Sequence, residues 1–188
     1  GGMTALHVAA RQGHAQSARA ILAGRAPVNA RDRQGRTPLE LALAEGHVKI
    51  VGLLLQNGAL ANARLSNDAM PLHMAAAKGD AALVKQLLEG GAAVNARDAK
   101  GRTALHVAVE QGKTSMVKLL AREGANANVR SDDGETPLTL AAVRGDAEIA
   151  EALLALDASP RVKNGDEQTP LHLAVARGDR RIAELLLK

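Results

Sequence analysis

Apolar residues along this chain fall in blocks with helical spacing, and the blocks return at a fixed interval. Ile50, Val51, Leu54 and Leu55 lie on one face of a helix, and the same face returns as Leu83, Val84, Leu87 and Leu88 and as Ile149, Ala150, Leu153 and Leu154. A shorter block precedes each of these and opens on a tetrad: Thr4-Ala-Leu-His7, Thr37-Pro-Leu-Glu40, Met70-Pro-Leu-His73, Thr103-Ala-Leu-His106, Thr136-Pro-Leu-Thr139 and Thr169-Pro-Leu-His172. A Thr there can cap a helix, Pro at the first helical position forgoes only an orphan N–H, and the Gly nine residues after the Thr predicts a left-handed helix end. Gly58, Gly91 and Gly124 predict the end of the second helix. After it, Ala-x-x-Asn and Asp-x-x-Gly read as an extended segment closed by a tight turn. The unit is helix, helix, projecting turn.

The tetrads are spaced 33 residues apart every time, and Gly13, Gly46, Gly79, Gly112, Gly145 and Gly178 keep that step, as do Asn29, Asn62, Asn95 and Asn128. Such a period marks an array of stacked units, none of which buries its apolar face alone. A single domain over residues 1–188 is expected, with units at about 3–30, 31–63, 64–96, 97–129, 130–162 and 163–188. Three places break the pattern. Met70, Asp68 and Leu65 replace the capping Thr, the turn Gly and the turn Asp before the third tetrad, which predicts a less regular turn. Glu167 replaces the turn Gly before the sixth tetrad, and Gly165 is expected to take the positive φ instead, shifting the turn. Asp157, Ser159, Pro160 and Arg161 interrupt the Gly and Asn segment between the fifth and sixth units, predicting a looser junction. Gly1 and Gly2 read as a tag remnant. The final Leu185-Leu186-Leu187 lacks the polar outer face of a solenoid end, which suggests a segment of a longer chain or an end covered by a partner.

Composition narrows function more than fold. Phe, Tyr and Trp are absent from all 188 residues, so the core must be aliphatic and thin. The absence of Cys excludes disulfides, thiolate zinc sites and a cysteine nucleophile, and leaves the compartment open with the cytoplasm as default. The longest aliphatic stretch falls far short of the ~20 residues that cross a bilayer. Lys and Arg number 24 against 20 Asp and Glu, a net charge of +4 spread along the chain, which makes little claim on a polyanion. No H-E-x-x-H, G-x-S-x-G, G-x-G-x-x-G or phosphate-loop motif is present, so neither an enzyme nor a cofactor is expected.

The T-P-L-H tetrad, the A-A-x-x-G helix end and the G-A-x-x-N-A-x-D-x-x-G connection together resemble the ankyrin repeat over essentially the whole chain. That resemblance implies an all-α solenoid of helix-turn-helix units with projecting β-turn fingers. It also implies non-enzymatic binding of a partner polypeptide on the concave side formed by turn tips and first helices, and structural hydrogen bonds for the tetrad His. Asn62, Asn95 and Asn128, each eight residues after a Leu, further resemble ankyrin asparagines that are hydroxylated in animal cells. The same array could serve as a regulatory or targeting segment of a larger enzyme, channel or effector. An engineered binder is the other alternative, against which Met70, Leu65 and Asp157 speak.

Other chemistry is weaker. His7, His73, His106 and His172 occur one per unit, about 10 Å apart at helix-packing distance, too far to share a metal. His14 and His47 open second helices and are expected to be exposed. The acidic stretches Ser131–Glu135 and Asn164–Glu167 lack the carboxylate spacing of a calcium loop and read as two solvated turns. Arg31, Arg64, Arg97, Arg130 and Lys163 form a basic column, but Asp32 and Asp98 beside it and the missing aromatic platform disfavour nucleic acid. From each basic-column residue to the tetrad, the turns carry charges of +2, 0, +2, −2 and −1. Candidate partner contacts on the turns are Arg33, Gln34, Arg36, Asn67, Lys100, Arg102, Asp132, Asp133 and Glu135. On the first helices they are Glu45, Lys78, Glu110, Gln111, Arg144 and Arg177. Arg33, Arg36 and Arg102 are the best anchors in a chain without Trp or Tyr. A monomer is expected to hold its partner along a groove of roughly 50 Å, six units at helix-packing distance, with acidic partner residues over units 2 to 4 and basic ones over 5 and 6.

Overall fold

The computed structural model describes residues 2–188; Gly1, half of the expected tag remnant, lies outside the described residues. All regular structure among them is helical. The chain divides into two compact units, one ending at Ala96 and the other beginning at Arg97. In the first lie α1 (Ala5–Gln12), α2 (Ala15–Ala23), α3 (Pro38–Glu45), α4 (Val48–Gln56), α5 (Pro71–Lys78) and α6 (Ala81–Glu89). In the second lie α7 (Ala104–Glu110), α8 (Thr114–Arg122), α9 (Pro137–Arg144), α10 (Ala147–Leu154), α11 (Pro170–Arg177) and α12 (Arg180–Leu186). None is long and apolar enough to cross a membrane.

The tetrads form helix starts for the reason their residue types suggest. Thr37 is extended and its Oγ1 accepts from the Glu40 N–H at 3.2 Å, with Pro38 as the first helical residue. Gly46 ends α3 at φ 84°, where a side chain is disfavoured, so that the His47 N–H reaches back to the Ala42 carbonyl at 2.9 Å. Each first helix packs on its own second helix. Within each unit the first helices also pack in series, α1 on α3 on α5 and α7 on α9 on α11. The second helices follow, α2 on α4 on α6 and α8 on α10 on α12. Between them lie the aliphatic columns, with Ile50, Leu54, Leu83, Leu87, Leu120, Ile149 and Leu153 at most 1% exposed. Each such side chain contributes about 1.5–3 kcal/mol relative to exposure, so layering supplies what aromatic residues would otherwise supply.

The irregularities expected before the third and sixth tetrads do not occur. Leu65 and Asn164 donate to the carbonyls of Ala69 and Gln168 at 2.9 Å, as Asp32 and Asp98 donate to Arg36 and Arg102, so all these turns share one geometry. Asp68 and Glu167 take the left-handed conformation themselves, at φ 61° and 60°. Gly165 does not take it over. It is glycine because its N–H donates to the Asp133 carbonyl of the preceding turn at 3.0 Å, where a Cβ would meet that oxygen at 2.7 Å. The junction between α10 and α11 is likewise regular: Asp157 adopts φ 57°, and Ala158 donates to the Leu153 carbonyl at 3.1 Å, as Ala59 does to Leu54 at 2.9 Å.

Left-handed non-glycine residues carry strain that glycine removes. Glu167→Gly should raise the unfolding free energy by about 1 kcal/mol, and Asp68→Gly by less because Asp enters this region more readily. Urea denaturation followed by circular dichroism measures both. A loss of stability in Glu167→Gly would show that its exposed ion pair with Lys163 at 2.8 Å outweighs the strain.

Candidate protein-interaction face

The turn tips are built around two buried carboxylates. Asp98 accepts from the backbone N–H groups of Lys100 and Arg102, each at 2.9 Å, and from the Arg102 guanidinium at 3.0 and 2.8 Å. Asp32 repeats the arrangement with Gln34, Arg36 and the Arg36 guanidinium. Burial pushes the Asp98 carboxyl up, but the Arg102 side chain and the two N–H donors outweigh it and hold it below the ordinary value. For Asp32 the Arg36 guanidinium is the leading influence, and the direction is the same. Arg102 also reaches Glu110 on α7 at 2.8 Å, and its two carboxylate partners raise its pKa against the effect of burial.

This geometry sorts the anchor candidates. Arg36 and Arg102 spend their side chains on the turns that carry them. Arg33 is exposed and makes no hydrogen bond or ion pair among the described residues. Gln34, Asn67, Lys100, Asp132 and Asp133 are also exposed at turn tips. Asp132 pairs with Arg97 at 3.1 Å across neighbouring turns, and half-buried Glu135 accepts from the Asn164 amide at 2.9 Å. The bond from Asn164 joins the two acidic turns, and no cluster of three His, Asp or Glu suited to a metal is found among the described residues. The basic column points along the turns: Arg31 and Arg97 donate to the carbonyls of Gly35 and Gly101, while the neighbouring aspartates turn to Arg36 and Arg102.

The first-helix candidates have a role that residue type alone does not reveal. Lys78 donates to the Ala44 carbonyl, Arg144 to Glu110 at 2.6 Å and Arg177 to Val143 at 3.1 Å, each a carbonyl at the end of the preceding first helix. A cation there satisfies an orphan acceptor and meets the negative end of the helix dipole. His47, half-buried rather than exposed, hydrogen-bonds the Arg11 carbonyl at the end of α1 at 3.1 Å. The signal was a cation recurring just before the Gly that closes the first helix. Glu45 and Gln111 are exposed at the same helix ends.

Two of the tetrad His residues and three residues of the Asn column are stitches between layers. The Thr103 N–H donates to His106 Nδ1 at 3.1 Å, which leaves the proton on Nε2, and Nε2 donates to the Glu135 carbonyl at 3.1 Å. His7 bridges to Arg36 at 2.9 Å in the same way. Glu40 replaces His in the second tetrad and accepts from Ser66 of the next turn. Asn29, Asn62 and Asn128 donate to the carbonyls of Gly58, Gly91 and Asp157 at 2.8–2.9 Å and accept an N–H two residues further on.

A family model described as ankyrin repeats matches three times, over residues 1–65, 61–131 and 115–188. The chain belongs to the ankyrin-repeat family. An ankyrin repeat domain from Acinetobacter baumannii AYE, known from a crystal structure, is similar over 97% of this chain and 95% of its own, with 32% identity and a TM-score of 0.92. No curated protein matches. Ankyrin repeats are generally protein-interaction modules, and the ankyrin fold is typically non-catalytic.

Two pH dependences follow. A carboxyl whose folded pKa lies below its unfolded value of about 3.9 gives stability that is full above that pH and is lost as pH falls through the folded value. Asp98→Asn should therefore cost about 1–2 kcal/mol at neutral pH and flatten the acid limb of stability, measured by urea titration from neutral pH downward. Burial lowers the His106 pKa despite its bond to the Glu135 carbonyl, so its contribution is present above about pH 6.5 and fades below it. His106→Gln should lessen the drop in melting temperature on mild acidification, and an unchanged drop would assign that drop to other groups.

Proposed function

We propose that this ankyrin array is a non-enzymatic module that holds a partner polypeptide on the face made by its turn tips and first-helix ends. The observation that carries this reading is the division of labour among the turn residues. Arg36, Arg102, Asp32 and Asp98 hold the turns in shape, whereas Arg33, Lys100 and Asp133 present charges with no bond to the rest of the described chain. Charges that a scaffold does not use are available to a partner. Near Arg33 in the first unit and Lys100 in the second, that partner presents acidic residues. Near Asp133 it presents basic ones. Complementary charges of this kind set orientation and encounter rate, so binding weakens as salt rises.

The informative variants are those that leave the turns intact. Affinity capture from the source cell with the wild-type chain, Arg33→Glu/Lys100→Glu and Asp133→Lys as baits compares the polypeptides retained. The reading expects at least one polypeptide retained by the wild type, sensitive to salt, and lost from a charge-reversed bait while circular dichroism shows unchanged folding. Equal retention by all three baits would refute it. Arg36→Glu and Arg102→Glu are unsuitable, because each leaves a buried aspartate facing a like charge.

A further inference from the structure

The second helices of the first unit border a surface hollow around Gly52. Gly52 sits inside α4, where glycine is a poor helix former, and the matching positions in the other repeats are Arg19, Lys85, Lys118, Glu151 and Glu184. Its backbone is ordinary helix, and the atom nearest an added Cβ is the flexible amide oxygen of Gln86. Gly52 is buried, and the space a side chain would take there is held by that amide. Beside it lies a surface dip of about 470 Å³ bordered by Gln16, Arg19, Lys49, Leu53, Gln56 and Gln86. A second dip of about 330 Å³ shares Gly52, Gln56 and Gln86 and runs on to Leu55 and Glu89.

Charge sets this surface apart from its counterpart in the second unit. There, Lys118 pairs with Glu148 at 2.8 Å and Arg180 with Glu184 at 2.6 Å. Here, Arg19 and Lys49 are exposed and make no ion pair or hydrogen bond through their side chains among the described residues. Two unneutralised cations thus stand at one end of the double dip, an acid at the other, and three glutamine amides and aliphatic Leu53 between.

We propose that this dip is a second binding site, for an extended acidic segment of a partner polypeptide. A carboxylate of that segment lies against Arg19 and Lys49, Arg19 offering paired donors suited to it. The exposed amides of Gln16 and Gln56 offer both donors and acceptors to the segment's peptide groups, while Gln86 Nε2 donates to Glu89 at 2.8 Å, and an aliphatic side chain covers Leu53. The elongated shape and its charge gradient favour a chain over a single anion, with the acidic end toward α2. The site is independent of the turn-tip face.

The test selects displayed decapeptides on the full chain, with counter-selection on Gly52→Lys, which restores the long side chain of the neighbouring repeats and fills the dip. Survivors should be rich in Asp or Glu next to Leu, Ile or Val. A synthetic survivor should bind Gly52→Lys and Arg19→Glu/Lys49→Glu roughly tenfold or more weakly than wild type and bind Arg33→Glu/Lys100→Glu unchanged. Gly52→Lys should melt no lower than wild type, since lysine is the better helix former, which separates loss of the site from loss of the fold. Survivors without acidic residues, or equal affinity for Gly52→Lys, would overturn the proposal. So would loss of binding only in the turn-tip variant. Sedimentation of the wild type but not Gly52→Lys with phosphatidylcholine–phosphatidylserine vesicles would overturn it in favour of a lipid surface.

Discussion

A helix pair with apolar side chains on both flanks has no stable existence alone, and this constraint governs the rest of the molecule. Ile50, Val51 and Leu54 can leave water only if α2 lies on one side of α4 and α6 on the other, and the same holds for Ile149, Ala150 and Leu153 between α8 and α12. Without Phe, Tyr or Trp, no single side chain can fill a misfit between layers. Layers of Leu, Ile, Val and Ala therefore have to repeat at one spacing, and the unbroken sequence period is the record of that requirement.

Apolar burial does not fix how one layer is rotated on the next; directional bonds do. The stitches from His7, His106, Asn29, Asn62, Asn128, Lys78, Arg144 and Arg177 all end on backbone carbonyls of an adjacent repeat. A carbonyl is present whatever residue occupies the position. The bond thus survives a change of the accepting residue, as between Gly58, Gly91 and Asp157, while the donors at 29, 62 and 128 are all Asn. The same logic explains why Asp157 and Glu167 fail to loosen or shift their segments: bonds to the backbone on both sides hold the chain in the left-handed conformation that their side chains disfavour.

The layered all-α architecture was legible because period, caps and aliphatic columns all point the same way, and helix ends fall at Gly46 and Gly58 as the spacing predicts. The interaction face was legible only in part. Arg33 and Arg36 look equivalent in sequence, yet one is exposed and the other is clamped to Asp32. The four-residue separation of Asp32 from Arg36, repeated in Asp98 and Arg102, was the available sign. The cations at 78, 144 and 177 were harder to read, since their acceptors lie 34 residues upstream and are backbone atoms that sequence does not mark. Gly165 was misread for a related reason: its purpose is close approach to another turn, which is a property of the neighbour.

The separation of scaffold charges from unused ones bears on how such an array can acquire partners. Exchanging Arg36 or Arg102 would disturb a buried carboxylate with several donors, so those positions are held by the fold. Exchanging Arg33, Lys100 or Asp133 removes no bond among the described residues and changes only the field at the surface. Arg19 and Lys49 belong to the same class on the second-helix side, and Gly52 goes further, since it gives up helix propensity where five neighbouring repeats carry a long charged side chain. Gly52 is buried under the Gln86 amide, and the hollow beside it lies between those unneutralised cations and the exposed amides of Gln16 and Gln56, so scaffold and surface are separated on this side as on the turns.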